Sequence, residues 1–167
     1  MPVVTLQGLE LTRDGALLLG WLQRPHVAKW WGDSARAMQH ASACAPESHA
    51  LIVADGMPVG YVCWQQLPAE ELEDADLKDV PGGLMDIDIL LGDPDLLGQG
   101  IGTQALRLLL TRLRSEQMVG FAGLGTSTSN TRAIRCYEKA GFQVHRMFQD
   151  PEWGPCHYLI AAVRGSV

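Results

Sequence analysis

Apolar residues in the N-terminal part of the chain first recur at helical spacing. They are Leu11, Leu17, Leu18, Trp21 and Leu22. The pattern predicts a first helix that has Thr12 as its N-cap and stops at Pro25. Farther on, Trp30 and Trp31 precede Ser34, a residue type that favours the N-cap position. We therefore expect the two tryptophans at the junction between two short helices.

The pattern then becomes extended around an Asp-Gly step. Residues 49–67, HALIVADGMPVGYVCWQQL, are rich in strand-forming side chains, and Asp55 and Gly56 tolerate the positive φ of a tight turn. This segment predicts a β-hairpin. Residues 70–79, EELEDADLKD, are too acidic for a core strand and indicate an exposed loop or a short helix. The following VPGG at 80–83 is typical of a turn.

Carboxylates alternate with isoleucines in residues 84–93, LMDIDILLGD. Because successive side chains of a strand point to opposite faces, Asp86 and Asp88 are expected on one face. Ile87 and Ile89 are expected on the other face. This strand leads directly toward a glycine-rich segment.

Helical and extended patterns alternate in the remaining chain. An amphipathic helix is predicted from Ile101, Ala105, Leu108, Leu109 and Leu113. GFAGLG predicts a strand at 121–124, residues 130–140 a helix ended by Gly141, and residues 142–163 two strands joined through DPEWGP. The order is helix, helix, hairpin, strand, helix, strand, helix, strand, strand. It predicts one α/β domain, residues 1–167, with a mixed sheet and helices packed on its faces.

Composition and charge narrow the choice of partners. Nineteen acidic and thirteen basic residues give a formal charge of −6, which disfavours nucleic acid and favours a cationic small molecule. The apolar stretches are shorter than the roughly 20 residues needed to cross a bilayer, so no membrane partner is expected. The four cysteines form no C-x-x-C pair and no secretion signal is visible, which favours the cytoplasm. Histidines and cysteines show no zinc-site spacing, so no metal is expected.

The segment GQGIG at residues 98–102 contains three glycines and lies between a predicted strand and a predicted helix. Backbone amides and the positive end of the helix dipole would converge here on one point, which suits a phosphate. Glycine lets a ligand approach the backbone closely and permits positive φ. The same glycines could also serve packing alone. The nucleoside-triphosphate loop is excluded because no G-K-[ST] follows, and no early strand indicates a dinucleotide fold.

Two segments together resemble the acetyl-CoA site of the GNAT N-acetyltransferases. They are LGQGIGTQAL at 97–106 and SNTRAIRCYEKAGF at 129–142. The resemblance implies a mixed central sheet flanked by helices on both faces and acetyl-CoA as co-substrate. It implies these cofactor-binding residues: Leu90, Leu91, Leu97, Gly98, Gln99, Gly100, Ile101, Gly102, Thr103, Asn130, Ala133 and Tyr137. Leu97 departs from the Arg or Gln common in that family, which removes a side-chain contact and leaves the backbone contacts.

Within that family, the chain most resembles the aminoglycoside 6′-N-acetyltransferases. The resemblance extends to RPHVAKWWGD at 24–33, DGMPVGY at 55–61 and IDILL at 87–91. It implies direct acetyl transfer to a primary amine, most often the 6′-amine, of an aminoglycoside. Asp88 would bind the amine and accept its proton, and Tyr137 would protonate the departing thiolate. An amide near Leu90 would stabilise the oxyanion.

Further residues are expected to recognise the acceptor. Trp30 and Trp31 could form a wall for sugar rings, and Asp86 lies next to Asp88 on the same strand face. The acidic segment could attract a polycation through Glu70, Glu71, Glu73, Asp74, Asp76 and Asp79. A purely structural explanation stays open for each of these residues. The strand carboxylates could simply be hydrated, the tryptophans and Tyr137 could be core residues, and the acidic segment could be an exposed loop that only adds solubility. Gly125 stands where the resembling enzymes carry a second substrate-binding aspartate.

Two other functions are compatible with the same residues. The acceptor could be a siderophore hydroxylamine or another small polyamine. Alternatively, the domain could bind an acyl-CoA as a sensor without catalysis, although the pairing of Asp88 with Tyr137 favours an enzyme. The sequence leaves open whether the protein is a monomer or a homodimer.

Overall fold

The computed structural model describes residues 1–79, 83–116 and 119–164. Over these residues the strands are β1 (Val4–Gly8), β2 (His49–Ala54), β3 (Met57–Gln66), β4 (Leu84–Leu91), β5 (Phe121–Ser127), β6 (Gln143–Asp150) and β7 (Gly154–Ala162). The α-helices are α1 (Leu11–Leu22), α2 (Pro25–Trp31), α3 (Ser34–Ala43), α4 (Ala69–Asp74), α5 (Ile101–Leu113) and α6 (Thr131–Ala140). Short 3₁₀ turns occupy Pro46–Ser48 and Pro94–Leu96.

The strands form one mixed sheet in the order β1-β2-β3-β4-β5-β7-β6. The β1–β2, β2–β3, β5–β7 and β6–β7 pairs are antiparallel, whereas β4 and β5 are parallel. The predicted hairpin is confirmed, because Asp55 and Gly56 connect β2 to β3 with φ of 49° and 81°. Such left-handed turn residues match the twist of the flanking strands.

The chain divides into two compact units. We call residues Met1–Trp64 and Asp88–Ala105 the N-terminal unit, and residues Gln65–Ile87 and Leu106–Val167 the C-terminal unit. The core of the N-terminal unit contains Leu9, Leu18, Trp21, Leu22, Val27, Ala41, Leu51, Val53, Tyr61, Cys63 and Leu90. An apolar cluster of the C-terminal unit has Leu77, Leu84 and Tyr158 at its centre. No described helix has the length and apolar character of a membrane span.

The N-terminal unit begins differently from the predicted pattern. Strand β1 precedes the first helix, and three helices rather than two precede the hairpin. Only Val4 of β1 is buried, so this strand carries no alternating pattern that would reveal it. Helix α1 begins at Leu11, and Thr12 is therefore not its N-cap. The Asp14 carboxylate instead accepts a hydrogen bond from the Glu10 amide at 3.0 Å.

The junction between α2 and α3 and the end of β4 add detail to the predicted N-terminal unit. The junction between α2 and α3 is where the tryptophans were expected, but the N-cap is Asp33 and not Ser34. The Asp33 carboxylate accepts a hydrogen bond from the Arg36 amide at 2.8 Å. Gly92, directly after β4, is in close contact with the indole of Trp21, so a Cβ there would collide with the ring. Glycine at 92 therefore lets α1 pack against the end of β4.

The C-terminal unit follows the predicted order closely. Strands β5, β6 and β7 and helix α6 lie where the pattern placed them, and Gly141 ends α6 with a φ of 107°. The acidic segment forms the short helix α4, one of its two predicted states. The predicted VPGG turn lies outside the described residues except for its last glycine. Asp150 accepts hydrogen bonds from the amides of Glu152 and Trp153, which closes the β6–β7 turn.

Candidate active site

The glycine-rich segment forms a left-handed turn immediately before α5. Gly98 and Gly100 have φ of 80° and 82°, which confirms the expectation of positive φ in this segment. A Cβ placed on Gly98 would meet no protein atom within 4 Å, so the space beside this residue is open to a ligand. The Gln104 amide donates to the Gly100 carbonyl at 3.0 Å, the bond that starts the α5 ladder. The first amides of a helix have no intrahelical acceptor and suit an anion.

The turn is supported from within. The Gln99 side chain donates to the Asp95 carbonyl at 2.8 Å, and the Asp93 carboxylate accepts from the Asp95 amide at 2.9 Å. Gln99 therefore contributes to the shape of the turn through its side chain. Its backbone amide is the group that could face a phosphate. The predicted cofactor role of this segment thus depends on backbone atoms. The leucine at position 97, where the resembling family often has Arg or Gln, implies the same.

Asp86 and Asp88 share one face of β4, and their surroundings differ. Asp86 is half-buried and accepts a hydrogen bond from Tyr158 Oη at 2.8 Å. Tyr158 reaches it because residue 123 is glycine, where a Cβ would lie 2.5 Å from the Tyr158 hydroxyl. Sequence reasoning did not identify Tyr158 as a partner. In the register of the two strands Tyr158 of β7 pairs with Gly125 of β5 and its ring extends over the diagonal neighbour Gly123, a contact that is recognisable only once the strands are paired.

The Asp88 carboxyl is exposed to solvent, yet protein surrounds it on most sides. This partial desolvation raises the pKa of Asp88, and the attraction of His40 opposes the shift. A carboxylate with a raised pKa is a stronger base than a fully hydrated one and remains accessible to a substrate. Both properties fit the predicted role of Asp88 as the group that receives the amine proton.

A polar cluster that sequence spacing did not reveal lies near Asp88. His40, Cys44 and Cys63 place their ligand atoms within 4.8 Å of one another. A hydrogen bond from Cys63 and the nearby His40 lower the pKa of Cys44 to about 6. The hydrogen bond to Cys44 and burial raise the pKa of Cys63. The signal in the sequence was the four-residue spacing of His40 and Cys44, which would place them on one face of a continuous helix; the structure has Cys44 just past the end of α3.

The two tryptophans are both half-buried, so neither is a fully buried core residue. Trp31 packs against the core and contacts Tyr61, with ring centroids 6.3 Å apart. Trp30 holds the Lys29 ammonium 4.7 Å from its ring centroid. A cation thus already occupies one face of Trp30, which shows that this indole can attract an amine. Trp31 fits the structural explanation better than Trp30 does.

The start of α2 is attached to the end of β4. His26 Nε2 lies 2.9 Å from the Leu91 carbonyl oxygen, and Leu90 is buried while Leu91 is half-buried. A Cβ at Gly60 would collide with the Leu90 carbonyl oxygen, so glycine permits the close approach of β3 to β4 there. These contacts fix the backbone at the two leucines predicted to bind the cofactor.

The predicted cofactor residues of the C-terminal unit lie on α6. Asn130 is its N-cap: its Oδ1 accepts from the Ala133 amide at 3.4 Å and its Nδ2 donates to Thr126 Oγ1 at 3.2 Å. Tyr137 is buried, and its ring packs edge-on against Phe142 with centroids 6.5 Å apart. Helix capping and core packing are thus structural roles that Asn130, Ala133 and Tyr137 have in addition to the cofactor-binding role that the resemblance implies.

The acidic segment contains carboxylates of two kinds. Glu70, Glu71, Glu73 and Asp74 are exposed on α4. Asp76 and Asp79 are instead paired with Arg146 of β6, and His145 also bonds Asp79. The hydrogen bond from His145, aided by Arg146, lowers the pKa of Asp79. The four carboxylates of α4 are therefore the ones that could attract a polycation.

Gly125 lies on β5 opposite Tyr158 of β7. A Cβ at this position would lie 3.4 Å from the Tyr158 ring and 3.5 Å from the Phe148 ring. The contact is tight without being prohibitive. The missing aspartate is therefore a difference in chemistry that packing alone does not impose.

Comparison with known protein families and proteins places this fold in a family. Residues 10–150 match the model of the Acetyltransferase (GNAT) domain. The aminoglycoside N(6')-acetyltransferase type 1 of Klebsiella pneumoniae is 35% identical over 168 residues, which cover 94% of this chain and 82% of that protein. The kanamycin resistance protein of Rhizobium radiobacter is 40% identical over 78 residues, 47% of this chain and 71% of that protein.

Solved structures agree with the sequence comparison. A structure of AAC(6')-Ib with coenzyme A and kanamycin has 32% identity and a TM-score of 0.73, and the match covers 96% of this chain and 95% of that one. An aminoglycoside N(6')acetyltransferase from Legionella pneumophila has 18% identity and a TM-score of 0.74, so it shares the fold alone. The predicted fold class, a mixed central sheet flanked by helices, is confirmed.

Proposed function

The chain belongs to the GNAT acetyltransferase family, and from this premise we propose that it transfers acetyl from acetyl-CoA to an aminoglycoside. The acceptor is a primary amine, at the 6′ position. The observation that carries the proposal is Asp88: an exposed carboxyl of raised pKa on the strand that leads into the glycine turn. Relatives over nearly the full chain are aminoglycoside N(6')-acetyltransferases, which supports this acceptor class. The domain comprises residues 1–167.

The glycine turn fits the pyrophosphate of acetyl-CoA. The space beside Gly98 is open, and Gly98 and Gly100 both have a left-handed φ, although the Met1 side chain lies beside Gly100, where a Cβ would be 3.7 Å from its sulfur. In this assignment the backbone from Leu97 to Thr103 holds the diphosphate, and Leu90 and Leu91 line the path of the pantetheine arm. Asn130, Ala133 and Tyr137 complete the binding residues from α6. When bound, acetyl-CoA supplies the thioester whose acetyl carbon the amine attacks directly.

Asp88 performs the first chemical task. An ammonium has no lone pair, so the acceptor must lose a proton before it can attack. Asp88 holds the cation by charge and takes that proton, which its raised pKa favours. The Leu90 amide donates to the developing oxyanion, and Tyr137 donates its phenolic proton to the departing sulfur. The nitrogen loses its second proton as the carbon–sulfur bond breaks, and that proton restores the Tyr137 phenol through solvent. No covalent intermediate with the protein is required.

The acceptor is recognised by aromatic and acidic groups. Trp30, which already holds a lysine ammonium, packs on a sugar face or binds an amine, and Trp31, which packs against Tyr61, contributes its half-buried ring. Asp86 adds negative charge on the strand face of Asp88. The carboxylates of α4, namely Glu70, Glu71, Glu73 and Asp74, raise the local concentration of a polycation. Gly125 removes one acidic contact, so these groups carry more of the recognition.

The proposal is tested with purified protein, acetyl-CoA and a panel of amines, with released thiol as the readout. Kanamycin and tobramycin should be acetylated, and the product should carry its acetyl group on the 6′-amine by nuclear magnetic resonance. Asp88→Asn should lower kcat by about 100-fold or more, within the usual range for loss of a general base. Its thermal unfolding should stay close to that of the wild type, because Asp88 is exposed.

Glu116→Gln is the matched control, since it also replaces an exposed carboxylate by an amide, in the segment after α5. Its kcat should equal that of the wild type. If hydroxylamines or simple polyamines are acetylated and no aminoglycoside is, the protein is an acetyltransferase with a different acceptor. Calorimetric binding of acetyl-CoA without thiol release from any amine would instead indicate a sensor domain.

The proposal also covers the cellular compartment and the oligomeric state of the protein. Cys44, Cys63, Cys136 and Cys156 form no disulfide among the described residues, and thiols of this kind are compatible with a reducing compartment. We therefore place the protein in the cytoplasm. Either a monomer or a homodimer is compatible with the proposed chemistry, and sedimentation analysis distinguishes the two.

A further inference from the structure

The cluster of His40, Cys44 and Cys63 brings one imidazole and two thiols together in the N-terminal unit. His40 is on α3, Cys44 is the C-cap of that helix one turn later, and Cys63 is on β3. The His nitrogen and the two Sγ atoms are all within 4.8 Å of one another. Residues from two separate elements are thus directed at a common point.

The donor atoms suit a thiophilic cation. Zinc binds cysteine sulfur at about 2.3 Å and histidine nitrogen at about 2.0–2.1 Å, so two sulfurs of a tetrahedral site are about 3.8 Å apart. The cluster needs a contraction of about 1 Å or less to reach that geometry. The exposed His40 can supply the movement by rotating its side chain, whereas Cys63 is only 2% exposed and is held by the core.

The charge around the cluster also favours a cation. The Asp88 carboxylate lies close enough for its negative charge to act on the sulfurs of both Cys44 and Cys63. The same charge lowers the energy of a positive ion at this point.

We propose that His40, Cys44 and Cys63 form a site for one thiophilic divalent cation, with Zn²⁺ as the natural occupant. Three protein donors leave a fourth tetrahedral position for water. Binding forms two metal–sulfur bonds and one metal–nitrogen bond, and any proton still on Cys44 or Cys63 passes to solvent. The site lies near Asp88, but the proposal rests on the three donor atoms alone and does not depend on the proposed function.

The test uses the full chain, freed of metal by a chelating resin and kept reduced with a phosphine. Titration with Co²⁺ should give thiolate-to-cobalt charge-transfer bands that saturate at one equivalent. Added Zn²⁺ should displace the cobalt and abolish the bands. His40→Ala should weaken Zn²⁺ binding more than about 10-fold, a loss at least as large as that from disturbing outer-shell partners. Cys63→Ala should remove most of the band intensity.

Cys136→Ala is the matched control, because it removes a half-buried thiol of α6 that is outside the cluster. It should bind cobalt as the wild type does. His40 is exposed, so the His40→Ala variant keeps the test valid even if Cys63→Ala fails to fold. The proposal is overturned if the reduced wild type shows no charge-transfer bands. Unchanged affinity in His40→Ala would overturn it equally, since the metal would then be bound elsewhere.

Discussion

Asp86 and Asp88 are two residues apart on one strand face, and their surroundings give them different roles. Tyr158 donates a hydrogen bond to the Asp86 carboxylate and holds its side chain in place. Asp88 is desolvated by the protein around it, which raises its pKa. The sequence pattern placed both carboxylates on one face and ranked Asp88 first on resemblance. It could not separate them physically, because the difference arises from residues of β3, β7 and α3 distant in sequence.

Asp14 gives a prediction at the residue scale. Its carboxylate accepts hydrogen bonds from the Glu10 amide and from Arg13, and these lower the pKa of Asp14, with the Arg13 bond as the largest cause. Asp14→Ala removes an acceptor at the start of α1 and should destabilise the protein by about 1 kcal/mol at pH 7. Asp14→Asn keeps an acceptor for the amide and should cost less.

The pH dependence follows from the sign of the shift. A carboxyl whose pKa is lower in the folded state stabilises the protein above the unfolded pKa, about 3.9, and loses this contribution as pH falls through the folded value. The stability gap between wild type and Asp14→Asn should therefore be full at pH 7 and shrink below about pH 4. Urea unfolding at several pH values measures it. A gap that stays constant down to pH 2 would show that charge on Asp14 contributes nothing.

At the element scale, patterns with strong local signals predicted the fold well. The Asp-Gly hairpin, the amphipathic α5 and the glycine-terminated α6 were all expected and found. Strand β1 was missed because it is mostly exposed and owes its extended state to pairing with β2. The caps at Thr12 and Ser34 were wrong because several polar residues at each helix start could fill that role. Tertiary contacts selected among them.

The glycine turn before α5 gives the prediction at this scale. Gly98→Ala should raise the KM for acetyl-CoA, because it places a methyl group in the open space beside the turn and strains a left-handed φ. Gly154→Ala is the matched control, since Gly154 has a φ of 72° in the β6–β7 turn. Both variants should lose about 1–2 kcal/mol of stability from the backbone strain alone.

Steady-state kinetics and thermal unfolding separate the two effects. The KM for acetyl-CoA should rise only in Gly98→Ala, whereas both variants should melt at lower temperature. A similar rise in the Gly154→Ala variant would trace the effect to general instability. An unchanged KM in Gly98→Ala would remove the turn from the cofactor site.

For the molecule as a whole, the net charge follows from composition, and the structure shows how that charge is distributed. The formal charge of −6 led to the expectation of a cationic partner. Within the acidic segment, Asp76 and Asp79 are paired with Arg146, and the exposed carboxylates of α4 remain. That pairing joins β6 to a segment about 70 residues earlier, so no local pattern could have separated the two groups of acids.

This distribution gives a prediction about substrate capture. Replacing Glu70, Glu71, Glu73 and Asp74 by their amides changes the net charge by four and should lower kcat/KM for a polycationic aminoglycoside several-fold at low salt. The wild-type advantage should fall as ionic strength rises, because salt screens exposed charges beyond about 10 Å at 0.1 M. The control replaces Glu47, Glu116, Glu138 and Glu152, which are also exposed, and changes the net charge equally.

The two quadruple variants separate a local field from a global one. If α4 acts locally, only its own variant should lose kcat/KM, and its kcat at saturating substrate should stay near the wild-type value. Equal losses in both variants would mean that total charge alone attracts the substrate. Unchanged kcat/KM in the α4 variant would favour the structural explanation, in which Glu70 and Glu71 stabilise the first turn of α4 through its dipole. Circular dichroism of that variant then measures the helix directly.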